Sequence, residues 1–194
     1  MKLMIASDIH GSAYYCEKMI EAYKREKADK LLLLGDLLYH GPRNDLPKDY
    51  NPKAVITMLN AMKEDLLCVR GNCDTEVDQM VLEFPILADY CFIELDGHTI
   101  FATHGHHHNP ANPPMLKKGD ILLNGHTHIP ANQDMADFIS VQIFPNEFLV
   151  IDHISVCGIL FWNRHRTWIH VNEISHILIC RNVCVSIQEN ISLL

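Results

Sequence analysis

The stretch that decides the fold is Lys2-Leu3-Met4-Ile5-Ala6-Ser7-Asp8-Ile9-His10-Gly11. An apolar run of strand length ends abruptly in Asp-x-His-Gly. An acid and an imidazole two residues apart, just past the end of a strand, can turn an oxygen and a nitrogen toward one point. That is a metal-ligand pair. A strand-to-helix turn with Asp8 as a local cap would look the same. Four later stretches decide between the two readings by repeating the arrangement.

After Gly11, Ser12 can cap a helix running to about residue 27, with Tyr15, Met19, Ala22 and Tyr23 at helical spacing and basic residues at its end. Residues 31–34 read as a buried strand ending in Gly35-Asp36. A loop rich in Gly, Pro and Asn covers residues 40–51. The next helix has Asn51 as cap, Pro52 at its first position and Val55, Met58, Leu59 and Met62 as its buried stripe. Residues 66–69 are a third buried strand, followed by Arg70-Gly71-Asn72-Cys73-Asp74. Strand, helix, strand, helix, strand predicts a parallel sheet with right-handed crossovers. Ligands bind such sheets beyond the carboxyl ends of the strands, where Asp8, His10, Asp36 and Asn72 all fall.

Beyond the third strand the rhythm changes. Residues 91–95 and 98–103 read as two strands joined by Asp96-Gly97, a hairpin signal. The second ends in His104-Gly105-His106. Residues 113–118 are expected to form a short helix stopped by Gly119. Residues 120–123 form another strand, ending in Asn124-Gly125-His126-Thr127-His128. Five strand ends thus each deliver a polar, metal-capable group. The collected candidates are Asp8, His10, Asp36, Asn72, His104, His126 and His128. Imidazole nitrogen with carboxylate and amide oxygen suits Mn, Fe, Zn or Co, and neither a thiolate zinc site nor an all-oxygen calcium site. Seven donors are too many for one such ion and about right for two, which a shared carboxylate would hold ~3.5–4 Å apart.

Composition bounds the answer. A chain of 194 residues is enough for one domain with a full core, and 48% hydrophobic with 21% charged residues is ordinary for a soluble globular protein. The net charge of -8 argues against a broad nucleic-acid or anionic-membrane surface. It leaves room for a small phosphate-containing substrate, since bound metal ions would reverse the local field. Seven cysteines, scattered and with no secretory signal ahead of them, read as reduced thiols in a cytoplasmic protein. No apolar run reaches transmembrane length. Of the thirteen histidines, seven lie between His98 and His128, the segment that holds three of the ligand candidates.

Taken together, Asp8-x-His10, Gly35-Asp36, Gly71-Asn72-Cys73-Asp74, His104 and Gly125-His126-x-His128 resemble the calcineurin-like metallophosphoesterases. Cys73, the loop Gly41-Pro42-Arg43-Asn44 and the stretch Val77-Asp78-Gln79-Met80 resemble the small bacterial phosphodiesterase subgroup. The resemblance covers about residues 1–131. It implies an α/β/β/α sandwich of two mixed sheets, helices outside, with a dinuclear metal site at the strand C-terminal ends. It implies that Asp8, His10, Asp36 and His128 hold one ion, and that Asp36, Asn72, His104 and His126 hold the other. Mn(II) is the first expectation, with Zn, Fe, Co or Ni as alternatives. The implied function is hydrolysis of a phosphodiester, on a small molecule, by attack of a metal-bridging hydroxide, with Cys73, Asn72 and His104 at the reacting centre. Phosphomonoester hydrolysis is the nearest alternative. A non-catalytic protein-binding scaffold, like the retromer subunit of this fold, is a rival of a different class. That subunit has lost key ligands, whereas every ligand position is filled here. No membrane partner is expected, and self-association into a homo-oligomer stays open.

Other superfamily members carry His where this chain has Cys73. A thiol with an unperturbed pKa near 8.5 is a poorer charged donor at pH 7 than an imidazole, or Cys73 simply fills space. Arg43 and His106 are substrate-contact candidates, while His107 and His108 read as solvated loop. Asp74 is expected to orient a neighbour by hydrogen bond. Cys16, Cys68 and Cys91 read as core residues.

The whole chain, residues 1–194, is taken as one domain, but from about residue 132 its composition departs from the resemblance. The family's Asn-Pro-Gly-Ser turn is missing, and Asp and Glu become sparse. Residues 148–151, 155–161, 167–171, 174–180 and 183–187 are strand-like by propensity. Their alternation is poor, and Gly and Pro turn signals are lacking. A frameshifted or otherwise replaced C-terminus and a diverged pair of closing strands both account for this tail.

Overall fold

The computed structural model describes residues 1–179 apart from 43, 96, 129–130, 136–137, 144–147, 156–157, 163–167 and 172–176. Among these residues no helix is long and apolar enough to cross a membrane. Two sheets face each other. The first is built on the expected parallel core: β1 (Leu3–Ala6) pairs in parallel with β2 (Lys30–Leu33), and β2 with β3 (Leu66–Cys68). The connections are α1 (Ala13–Glu26) and α2 (Pro52–Asn60).

Local chemistry sets both helices. The Ser12 hydroxyl accepts from the Tyr15 amide and donates to the Lys48 carbonyl, so the cap of α1 also ties down the loop before α2. Lys27 closes α1 in the left-handed conformation. Asn51 caps α2 and Pro52 opens it, as expected. The α1 stripe is rotated from the expected one. Ala13, Cys16, Met19 and Ala22 are buried, while Tyr23 packs only partly against them.

Alternation on β1 and β2 explains the layering. Met4, Ala6, Leu31 and Leu33 face the helices and pack with Met19, Val55 and Leu59. Leu3, Ile5, Leu32 and Leu34 face the other way, onto Ile100, Ala102, Ile121, Leu123 and Val141 of the second sheet. That sheet runs β4 (Tyr90–Leu95), β5 (His98–Thr103), β6 (Asp120–Asn124), β8 (Phe138–Gln142) and β7 (Ala131–Asp134). It is mixed, because β5, β6 and β8 are parallel neighbours while β4 and β7 are antiparallel edges. Its outer face carries Phe101, Leu122 and Phe138 under Leu116 and Met135. The fourth layer is therefore thin.

The expected helix at residues 113–118 is not formed. Pro113 and Pro114 supply no amide donors, and each restrains the residue before it toward extended backbone. The segment instead lays Leu116 on the outer face, and the Asp120 carboxylate accepts from the Lys117 amide. The β7–β8 hairpin is a further element that composition did not reveal. It contains Asn132, near which the tail departs from the resemblance.

Past β8 the chain returns to the first sheet. β9 (Phe148–Ser155) runs antiparallel to β1, with Leu3 opposite Ile151. β10 (Gly158–Trp162), β11 (Trp168–Val171) and β12 (Ile177–Ile179) continue as an antiparallel meander. These four overlap the first four tail strands expected from propensity, and the fifth, at 183–187, lies outside the described residues. Ile151 is fully buried in the core between the sheets. Ile151→Ala should therefore cost about 2–5 kcal/mol in chemical denaturation, the range for a large-to-small change in a packed core. An unchanged midpoint would show that β9 contributes no packing.

Candidate metal centre

The seven ligand candidates sit on turns that follow five strands. Asp8 and His10 follow β1, Asp36 follows β2, Asn72 follows β3, His104 follows β5, and His126 and His128 follow β6. The facing of the two sheets brings both sets of strand ends to one place. Their backbone is unusual. Asp8, His10, Asp36, His126 and His128 have φ of 58°, 50°, 56°, 72° and 57°. Only two other described non-glycine residues, Lys27 and Asp49, share that left-handed region. Each such residue costs of order 1 kcal/mol or more and persists only where the surroundings enforce it. Here the turns are laced together: Asp8 N donates to Gly35 O at 3.0 Å, His10 N to Asp36 O at 2.9 Å and Gly11 N to Leu37 O at 2.8 Å.

Two glycines make the approach possible. A Cβ on Gly71 would collide with the Asp36 carboxylate and amide, and one on Gly125 with the side chains of Ser7 and Asp8. Any side chain at either position would push a ligand-bearing turn outward.

Hydrogen bonds fix which atoms point inward. His10 Nδ1 lies 2.7 Å from Tyr39 O, and His104 Nδ1 2.7 Å from Leu34 O. A carbonyl only accepts, so Nδ1 carries the proton in both rings and neutral Nε2 presents a lone pair to the centre. His10 Nε2 faces His128 Nε2 at 3.3 Å, and His104 Nε2 faces His126 Nδ1 at 3.2 Å. His128 Nε2 is 3.1 Å from Asp8 Oδ1, and Asn72 Oδ1 is 2.9 Å from His104 Nε2. Asp36 Oδ2 stands between the two groups, 3.7 Å from His10 Nε2 and 3.5 Å from His104 Nε2. Donors of Asp8, His10 and His128, and of Asp8, Asp36 and His104, are close enough to share an ion. Lone pairs converging in this way beside two carboxylates fit divalent cations.

The electrostatics match. Burial opposes the charge of Asp8, but hydrogen bonds with His10 and His128 prevail and hold the carboxyl far below its usual range. Asp36 is likewise lowered, burial being outweighed by His104. Burial disfavours charge on His10 and His104, yet hydrogen bonds to Asp8 and Asp36 respectively raise both. His126 is lowered, by burial and then by His104.

Of the other candidates, Cys73 lies beside the centre. Its amide donates to Asp36 Oδ1 at 2.7 Å, and the Asn72 amide nitrogen is 3.3 Å from its Sγ. Burial, with the Asp36 carboxylate second, pushes its thiol up to about 12. The His106 ring lies 5.4 Å from that of His104 and 6.1 Å from that of His126, and burial lowers it to about 4. His107 is exposed, its ring tilted against that of His106. His108 is not a solvated loop residue, because it packs edge-on against Phe101. Arg43 lies outside the described residues. Cys16 is buried, and Cys68 and Cys91 pack partly buried against the two cores. Sequence reasoning missed Ser7, whose hydroxyl donates to Asp8 Oδ2 at 2.5 Å, and the two orienting carbonyls. A hydroxyl next to an acid is too common to stand out, and a carbonyl leaves no mark in a sequence.

Comparison with known proteins identifies the family. The family model for the calcineurin-like phosphoesterase superfamily domain matches residues 1–144. Phosphodiesterase YfcE of Escherichia coli strain K12 is 47% identical over 137 residues, which span 71% of this chain and 74% of that one. A solved structure of YfcE from E. coli, described as a phosphoesterase, superposes with a TM-score of 0.75 at 37% identity, covering 89% of this chain and 93% of that one. Vacuolar protein sorting 29 of Cryptosporidium parvum shares the fold at 13% identity and a TM-score of 0.52, over 88% of this chain and 91% of that one. The chain belongs to the calcineurin-like phosphoesterase superfamily.

Proposed function

We propose that this chain is a metal-dependent phosphodiesterase acting on a small-molecule phosphodiester. The observation that carries the proposal is the placement of Asp36 Oδ2 between His10 and His104, with Asp8, His10 and His128 close enough to share one ion and Asp8, Asp36 and His104 another. Asp8, His10, Asp36 and His128 hold one divalent ion, and Asp36, Asn72, His104 and His126 the other, with Asp36 shared. Mn(II) suits these mixed nitrogen and oxygen donors. Two ions bound there supply a nucleophile from water at neutral pH and neutralise charge on the phosphate oxygens. The chain's own residues do the rest. Asp8 and Asp36, the two carboxylates of the set, leave the loaded site positive and attractive to a phosphate anion. Tyr39 O and Leu34 O keep His10 and His104 in the tautomer that turns Nε2 inward. His106 stands at the rim on the His104 and His126 side, where it would meet the substrate. The 47% identity to a named phosphodiesterase supports the reaction class. The unpaired thiols of Cys16, Cys68, Cys73 and Cys91 fit a cytoplasmic setting. The pairing of β9 with β1 supports reading residues 1–194 as one domain with diverged closing strands.

Three outcomes test the proposal. Asp36→Asn should abolish turnover of aryl phosphodiesters and lower two-metal occupancy, because an amide supplies no anionic bridge. Full turnover with two ions retained would show that the bridge is elsewhere.

Chelator should remove activity and Mn(II) should restore it best. Acidification should weaken loading, because His10 and His104 have raised pKa values in the metal-free chain, and protons held there compete with the ions. Calorimetric titration in buffers of different ionisation enthalpy should therefore show proton release, with apparent affinity falling from pH 8 to pH 6. Chelator-resistant turnover by a metal-free sample would remove the two-ion chemistry.

Cys73 should tilt the enzyme toward diesters. A diester carries one negative charge and a monoester close to two, and the Cys73 thiol is neutral at pH 7. Cys73→His should raise the monoester-to-diester turnover ratio by about 10- to 100-fold, on the scale of a positioned acid. Cys73→Ser should leave it near wild type. An unchanged ratio in Cys73→His at equal metal content would show that Cys73 only fills space.

A further inference from the structure

Asp74 is buried where the turns after β2 and β3 meet. Its carboxylate engages backbone rather than a ligand side chain. Oδ2 accepts from Asp36 N at 2.8 Å and from Gly71 N at 2.7 Å, and Oδ1 accepts from Leu37 N at 2.9 Å. One carboxylate therefore joins the turn that carries Asp36 to the turn that carries Asn72.

Asp36 is gripped a second time by the same turn, since Cys73 N donates to Asp36 Oδ1. With its amide held by Asp74 and Oδ1 held by Cys73, the free oxygen is Oδ2, which stands between His10 and His104. The grip matters because Asp36 has a φ of 56°. An L residue leaves that region readily unless its neighbours prevent it. Rotation back to negative φ would turn the Asp36 amide away from Asp74 and carry the bridging oxygen off its position. Three amide donors on one side chain call for a group that only accepts. A carboxylate meets that need, whereas a carboxamide would direct its own N–H groups at a backbone N–H.

We infer that Asp74 is a positioning residue that locks the Asp36 turn in its left-handed conformation and so sets the oxygen shared by the two metal ions. The inference rests on the metal-centre reading above. Its consequence is selective: the ion that relies on Asn72, on the same turn as Asp74, depends on Asp74 most.

The test titrates metal-free wild type and Asp74→Asn with Mn(II), following bound ions by elemental analysis and electron paramagnetic resonance. Wild type should bind two ions and give an exchange-coupled signal. Asp74→Asn should bind one ion with near wild-type affinity and the second at least about tenfold more weakly, the usual scale for losing a partner that orients a ligand. Its spectrum should be that of an isolated ion. Two equally tight ions with a coupled signal in Asp74→Asn overturn the role of Asp74 and leave the metal centre standing. Wild type that binds no Mn(II) overturns the metal centre itself. Should Asp74→Asn fail to fold, amide hydrogen exchange in metal-free wild type decides. The Asp36, Leu37 and Gly71 amides should exchange as slowly as those of β2, although they lie outside any strand. Exchange of these amides at the rate of an open loop overturns the inference.

Discussion

The ring nitrogens of His10 and His128 face each other at 3.3 Å and those of His104 and His126 at 3.2 Å, with the Asp8 and Asp36 carboxylates beside them. Two carboxylates and four imidazoles at this range call for positive charge among them, carried by protons or by cations. That requirement organises the strand ends. Acids and imidazoles must project from different turns toward a common interior, and each turn must approach its neighbour more closely than a side chain permits. Hence glycine stands at 71 and 125, and hence five of the candidates adopt left-handed backbone. The parallel order of β1, β2 and β3 is what places three of the turns at the same edge. The second sheet, packed through Ile100, Ala102, Ile121 and Leu123, brings the other two turns over them.

Much of this was legible in the sequence. The run from Leu3 to Ala6 leads into Asp-x-His-Gly, and four later strands, β2, β3, β5 and β6, end in turns of similar chemistry. Asn51 and Pro52 announced the second helix, and Asp96-Gly97 announced the hairpin of β4 and β5. These signals are local, so one segment suffices to read them. The convergence of the candidate residues was legible because Asp, His and Asn recur just past five strand ends, and the structure brings those strand ends together.

Other features depend on contacts between distant segments and leave no local trace. The helix expected at residues 113–118 read Gly119 as a stop but underrated Pro113 and Pro114. The pairing of β8 with β6 follows from Val141 completing the core between the sheets, a fact of packing rather than of propensity. The same holds for β9: propensity marked a strand at residues 148–151, but not its pairing with β1, which buries Ile151 in the core between the sheets. The orienting carbonyls of Tyr39 and Leu34 belong to the backbone, so no residue type signals them.

The site and the cores divide the energetic labour. Left-handed residues and converging lone pairs raise the free energy of the strand ends. Met4, Leu31, Leu33, Val55 and Leu59 on one side, and Leu3, Ile5, Leu32, Ile100 and Ile121 on the other, hold the strands in place regardless. Packed cores are stiff, so repulsion among the ligands is poorly relieved by movement. Protonation is the remaining route, and its direction is visible: the acids Asp8 and Asp36 stay ionised while His10 and His104 hold protons more readily than ordinary imidazoles. A donor set held by stiff cores is already assembled, so an ion binding there would not require the strand ends to be rebuilt.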